Sequence, residues 1–276
     1  MTTVPDLTAL DRAVLDRTAR DRTARDRTYR WVIRLCRVLF RALGLRIEVS
    51  GVEHLPSTGP VVVAANHSSF LDFMFVGLAA VQRGRLVRFM AKESVFRSRL
   101  SGPLMRAMAH VPVDRAHGEL AARQALRALR AGEAVGVYPE ATIGRAFVVK
   151  DAEDFRRGAA YLALATGAPL VPVAHWGIHR IFTVDRRYSL RRGKAVEVVV
   201  GAPLVPLPGE DADALTLRLH DRLRVMVDEL VERYPQPPTD PARAWWWPAT
   251  LGGAAPALVD ARVLDVAAVR RVDARR

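Results

Sequence analysis

The sequence predicts an α/β fold: a single domain with a mixed, largely parallel central sheet flanked by helices, preceded by an N-terminal amphipathic helical arm. Three observations predict it. From Leu45 onward, short β-like runs alternate with helical patterns, the alternation of an α/β domain. Val61-Val62-Val63-Ala64-Ala65 is apolar throughout, as a strand covered on both faces must be. Leu215, Leu219, Leu223, Met226 and Leu230 recur at helical spacing.

The arm, residues 1–28, carries the repeat DRTAR-DRTAR-DRTYR from Asp16 to Arg30. Five residues is not a helical period, so its charges spiral and no apolar face forms. A solvated or frayed arm is expected. Residues 29–44 differ. Arg30, Arg34, Arg37 and Arg41 form one stripe on a 3.6-residue period. Trp31, Ile33, Leu35, Val38, Leu39, Phe40 and Leu43 fill much of the rest. Two readings share this pattern: a helix lying in a membrane interface, and a core-packing helix with a solvated arginine edge.

Residues 45–234 form the α/β domain. Strands are expected at 46–50, 60–65, 86–90, 110–113, 134–138, 169–174 and 195–201. Helices are expected at 71–82, 99–109, 119–131, 155–166 and 212–233. In such sheets ligands bind beyond the carboxyl ends of the strands. Residues 235–276 read as an irregular tail rich in proline, tryptophan and glycine, with Trp245–Trp247 packing back on the domain.

Composition narrows the chemistry. Half of the 276 residues are hydrophobic, enough for a sizeable core, and the net charge is +13, nearly all of the excess arginine. That charge suits nucleic acid, an anionic membrane surface or a phosphorylated substrate. Cys36 is the only cysteine, so there is no intrachain disulfide and no cysteine-based metal framework. The first thirty residues contain no signal-peptide core, and no apolar run reaches the length of a membrane span. His175 and His179 have one-turn spacing, but Gly177 between them and the absence of a third ligand argue against a metal site.

The strand 60–65 runs into Asn66-His67-Ser68-Ser69, with Asp72 in the helical turn that follows. Asp72 has a structural role available: Ser69-Phe70-Leu71-Asp72 fits a capping box with Ser69 as N-cap. It also stands within reach of His67, where a carboxylate would fix the imidazole tautomer and leave the other nitrogen basic. Other strand ends carry Lys92, Arg115 and Glu140. Arg115 and Glu140 can equally pair with each other, and Lys92 can be a helix-start residue.

Asn66-His67-Ser68-Ser69-Phe70-Leu71-Asp72 resembles the N-H-x4-D signature of the 1-acylglycerol-3-phosphate acyltransferase family. Val113-Asp114-Arg115 resembles that family's second block, YPEATIGR its third, usually F-P-E-G-T-R-S, and VPVA its fourth. The likeness spans roughly 47 to 205. Ala141 replaces the usual glycine, and Ile143 stands where arginine is common.

The resemblance implies transfer of a fatty acyl group from acyl-CoA or acyl-carrier protein to a lysophospholipid hydroxyl, with 1-acylglycerol-3-phosphate giving phosphatidic acid. It implies no cofactor or metal. His67 would be the general base and Asp72 its partner. Arg115 would bind the acceptor phosphate, with Lys92 and Arg145 as helpers, and Glu140 and Thr142 would position the glycerol or the surrounding loop. Helix-start N–H groups after Asn66 are candidate oxyanion donors. A cytoplasmic protein bound peripherally to the inner face of the membrane follows. The alternatives are another lysolipid or glycolipid acceptor, or a non-catalytic basic membrane-binding protein of the same fold. A nucleic-acid partner is not expected, because the arginines are not interleaved with stacking aromatics.

Overall fold

The computed structural model describes residues 7–114 and 118–273, with side chains described over 25–114 and 118–268. Seven strands form one sheet: β1 (Arg46–Ser50), β2 (Val61–Ala65), β3 (Val87–Lys92), β4 (Val111–Val113), β5 (Ala134–Val137), β6 (Leu170–Trp176) and β7 (Ala195–Val200). Their order is β1-β7-β6-β2-β5-β3-β4. All neighbours are parallel except β6 and β7. The predicted α/β class, with its mixed and largely parallel sheet, is the observed one.

Helices cover both faces. α1 (Leu7–Ala42) and α2 (Asp72–Val81) lie on one side, and α5 (Gly118–Arg130), α6 (Gly158–Thr166) and α7 (Ala212–Glu232) on the other. Two short helices, α3 (Glu93–Arg97) and α4 (Ser101–Ala107), join β3 to β4. β2 shows why its sequence is apolar at every position. Val61, Val63 and Ala65 pack towards α2, while Val62 and Ala64 pack towards α6 and α7. The side chains alternate between faces, and both faces are core.

α1 corrects one expectation. The repeat-bearing segment is continuous with the amphipathic one in a single 36-residue helix. No glycine or proline interrupts residues 6–43, and each DRTAR unit sets Asp four residues before Arg, the favourable order for helix-stabilising pairs. Over its second half, Tyr29, Ile33, Cys36 and Phe40 are buried. Tyr29 donates to the Val87 carbonyl at 3.0 Å, and Arg88 of β3 reaches Asp26 at 2.7 Å. Trp31, Leu35, Val38 and Leu39 stay exposed beside the arginine stripe.

The tail folds back over the domain, with Trp247 buried. It departs from the expected irregular tail in ending in a sixteen-residue helix, α8 (Leu258–Asp273). Residues 257–273 lack glycine and proline, and Ala261 and Asp265, one turn apart, are the buried residues of α8 among those with described side chains. The expected helix 99–109 begins later, at Ser101, because Ser98 is extended.

Candidate active site

β2 lies between β5 and β6 and points its carboxyl end to the same edge as both. The chain leaves that edge at Asn66. Its side-chain amide donates to the His175 carbonyl at 3.1 Å, and its oxygen accepts the His175 N–H at 2.9 Å. These two bonds continue the β2–β6 ladder beyond Ala65 and fix the direction in which His67 emerges.

His67 Nδ1 lies 2.8 Å from Asp72 Oδ2. The carboxylate can only accept, so Nδ1 carries the proton and Nε2 keeps its lone pair. The Asp72 side chain is 1% exposed and that of His67 is 20% exposed. A reactant can therefore meet the imidazole but not the carboxylate behind it. Asp72 Oδ2 also accepts the N–H groups of Ser68 and Ser69 at 2.8 and 2.9 Å. The same oxygen thus closes the turn and orients the imidazole.

The predicted capping box forms only in part. Asp72 receives the Ser69 N–H as the motif requires, but Asp72 opens α2, whose N-cap is Leu71 with no side-chain cap. The Ser69 hydroxyl instead donates to the Phe182 carbonyl and accepts Leu71 N–H. Of the N–H groups after Asn66, the first three are already engaged. The N–H groups of His67, Ser68 and Ser69 are bound to Glu140 or Asp72.

The exit of β5 supports His67 from the other side. Glu140 accepts the His67 N–H at 2.8 Å, and the Gly144 N–H donates to the His67 carbonyl at 2.9 Å. The Tyr138 ring stacks on the imidazole, with centroids 4.4 Å apart and planes 21° apart. Glu140 is buried, and burial pushes its carboxyl up to about 8 against the pull of the His67 N–H and Lys150. Ala141 adopts a φ of 57°. The left-handed conformation that glycine favours is kept here with an alanine. Ile143 is buried, so it lines the loop rather than an anion site.

The expected phosphate helper Arg145 is engaged within the protein. Arg145 Nε reaches Asp185 at 2.6 Å and its Nη1 reaches Asp265 of α8 at 2.5 Å. Lys150 meets the other oxygen of Asp265 at 2.7 Å and donates to the Thr142 hydroxyl at 2.5 Å. A guanidinium held by two carboxylates offers a phosphate little net attraction, so Arg145 braces the loop instead. Thr142 serves the same brace. Lys92 ends β3 on the active edge, at the N-cap of α3. Arg115 lies outside the described residues, shortly after β4.

His175 sits beneath Asp72. Its Nε2 is 3.6 Å from Asp72 Oδ2 and 2.7 Å from the Asn66 carbonyl. A carbonyl only accepts, so His175 Nε2 is protonated. Burial lowers the pKa of this imidazole, which stays neutral and donates. In the sequence His175 stands out only as half of a histidine pair with His179. Among the described residues, no group of three or more His, Cys, Asp or Glu side chains is placed to hold a metal ion.

Residues 46–176 match the family described as acyltransferase. Over this stretch, 46–176, the chain is similar to that family. The match runs from the first residue of β1 to the last of β6, and so contains His67, Asp72 and Glu140. Within the curated acyltransferases, the chain is 27% identical to a 1-acyl-sn-glycerol-3-phosphate acyltransferase of Bacillus subtilis, over 74% of this chain and 94% of that one. It is 28% identical to the human beta form, over 70% and 68% of the two chains. The crystal structure of the 1-acyl-sn-glycerophosphate acyltransferase from Thermotoga maritima shares the fold, with a TM-score of 0.59 and 22% identity over 85% and 86% of the chains. The chain has no helix, among the described residues, long and apolar enough to cross a membrane.

Proposed function

We propose that this protein moves a fatty acyl group from acyl-CoA or acyl-carrier protein to the free hydroxyl of 1-acylglycerol-3-phosphate, giving phosphatidic acid. The observation that carries the reading is the His67–Asp72 contact of 2.8 Å at the mouth of the central strand, with Nε2 of His67 left as the proton acceptor. An alcohol is a poor nucleophile at neutral pH. His67 Nε2 takes the hydroxyl proton as the oxygen attacks the thioester carbonyl. Asp72 holds the tautomer and stabilises the imidazolium. The C–S bond then breaks, the sulfur leaves as thiolate, and the imidazolium returns the proton to it. The products are an ester and a free thiol.

Arg115 grips the acceptor phosphate through its planar fork, with Lys92, which ends β3 on the active edge, as a helper. Glu140 holds the backbone of His67, and Tyr138 holds its ring. The exposed Trp31, Leu35, Val38 and Leu39 among the arginines of α1 support docking on the anionic inner face of the membrane.

The test offers purified protein a panel of lysolipids with acyl-CoA or acyl-carrier protein and identifies products by mass spectrometry. Phosphatidic acid from 1-acylglycerol-3-phosphate is the expected main product. Acylation of a different lysolipid alone would replace the acceptor. No product with any pair would leave a non-catalytic member of the fold.

A further inference from the structure

Beyond β6, the chain lines a cavity of about 440 Å³, within the size range of small-molecule sites. β7 runs antiparallel to β6, with Trp176 opposite Glu197. The start of β7 therefore lies at the carboxyl end of β6, on the edge where His67 leaves β2. The cavity opens on that edge, in front of β7 and the returning tail.

Five cations line it: Arg180, Arg191, Arg192, Lys194 and Arg243. Asp240 is the one carboxylate on the wall, and no described residue forms an ion pair with any of the five. Arg180 is held in place by neutral partners. It donates to the Tyr234 hydroxyl at 2.6 Å and to Gln236 at 2.9 Å, and it lies 4.1 Å over the Trp246 ring. Lys194 is buried and donates only to the carbonyls of Ser189 and Arg191. Burial and the neighbouring Arg180 and Arg191 push its amine below the usual lysine range. A buried cation among cations is unfavourable until an anion arrives. Arginine forks match phosphate oxygens two at a time, and five cations exceed what a single phosphate neutralises.

We propose that this cavity is a binding site for a multiply phosphorylated small molecule of nucleotide size, separate from the His67–Asp72 centre. Its walls come from the loop before β7 and from the tail after α7, both outside the matched family region. The anchored Arg180 pre-organises the site, so little ordering is left for binding.

Calorimetric titration with adenosine 3′,5′-bisphosphate tests it, with adenosine as the uncharged control. The variant combines Arg191→Gln, Arg192→Gln and Arg243→Gln, all exposed positions, and a thermal melt checks its fold. The bisphosphate is expected to bind the wild type and adenosine not. The triple variant should bind at least about tenfold more weakly, because it loses charge-assisted bonds. Undiminished binding by the variant, or no binding by the wild type, would overturn the proposal. A second arm uses phosphatidylglycerol vesicles. Loss of vesicle binding in the variant, with no bisphosphate binding by the wild type, would assign the cations to a lipid surface and overturn the proposal. Acyl transfer is measured in parallel. Bisphosphate binding without acyl transfer leaves the cavity assignment standing and removes only the proposed reaction.

Discussion

The exits of β2 and β5 lie side by side and obtain their charges in different ways. At the exit of β2, imidazole and carboxylate stand five residues apart in the chain. One turn brings them together. At the exit of β5, Arg145 meets carboxylates 40 and 120 residues away. The first arrangement leaves a basic nitrogen facing outward. The second leaves a neutralised cluster whose cations are already bound. A charged residue at a strand end is therefore available for chemistry only if the rest of the fold does not claim it.

The comparison breaks most visibly at His67. His67→Ala should lower kcat by on the order of 10²–10⁴, the usual worth of general-base catalysis, while the thermal midpoint changes little. Steady-state acyl transfer with a parallel melt reads both. At the second exit the loss should fall on stability. Asp265→Ala leaves Arg145 and Lys150 without their shared, buried carboxylate, which should cost roughly 3 kcal/mol by chemical denaturation. Turnover per folded molecule should survive. A large fall in kcat without unfolding would move Asp265 into the chemistry.

Glu140 links the two exits, and its pH dependence sharpens the contrast. Its folded pKa of about 8 exceeds its ordinary value of 4.5. The native state then holds a proton that the unfolded chain releases. Stability falls as pH rises through the window from 4.5 to about 8. Glu140→Gln keeps an acceptor for the His67 N–H and cannot ionise. Its stability relative to wild type should rise with pH across that window, measured by denaturation at several pH values. A constant difference would show that Glu140 does not titrate there. The smallest effect is expected at Ala141. Its left-handed backbone disfavours a Cβ, so Ala141→Gly should stabilise the protein by about 1 kcal/mol, after allowing for the greater freedom of glycine in the unfolded chain. A destabilisation would mean that the methyl group packs usefully.

The legibility of the sequence follows the same division. The sheet, its strands and the helices of the α/β domain follow from local apolar patterning, and β2 is readable because both its faces are core. The His67–Asp72 pair is readable because its geometry spans one turn. The role of Arg145 is not readable, since Asp265 approaches from α8 and nothing near Arg145 announces it. His175 is hidden for a related reason: its position under Asp72 depends on the register of β6 against β2. The tail helix was obscured by the proline and tryptophan cluster ahead of it. The start of α1 is hidden because the five-residue charge period masks the absence of any helix breaker.

The central claim is that Asp72 serves His67 as well as the turn. The direct measurement is a double-mutant cycle on kcat at saturating substrates, using His67→Ala, Asp72→Asn and the double variant, with melts of all three. Asp72→Asn retains size and some hydrogen bonding but removes the charge that favours imidazolium. If the pair acts as a unit, each single variant loses on the order of 10²–10⁴ in kcat and the double variant is little worse than either. Near-wild-type turnover by folded Asp72→Asn would contradict the account and return Asp72 to closing the turn alone.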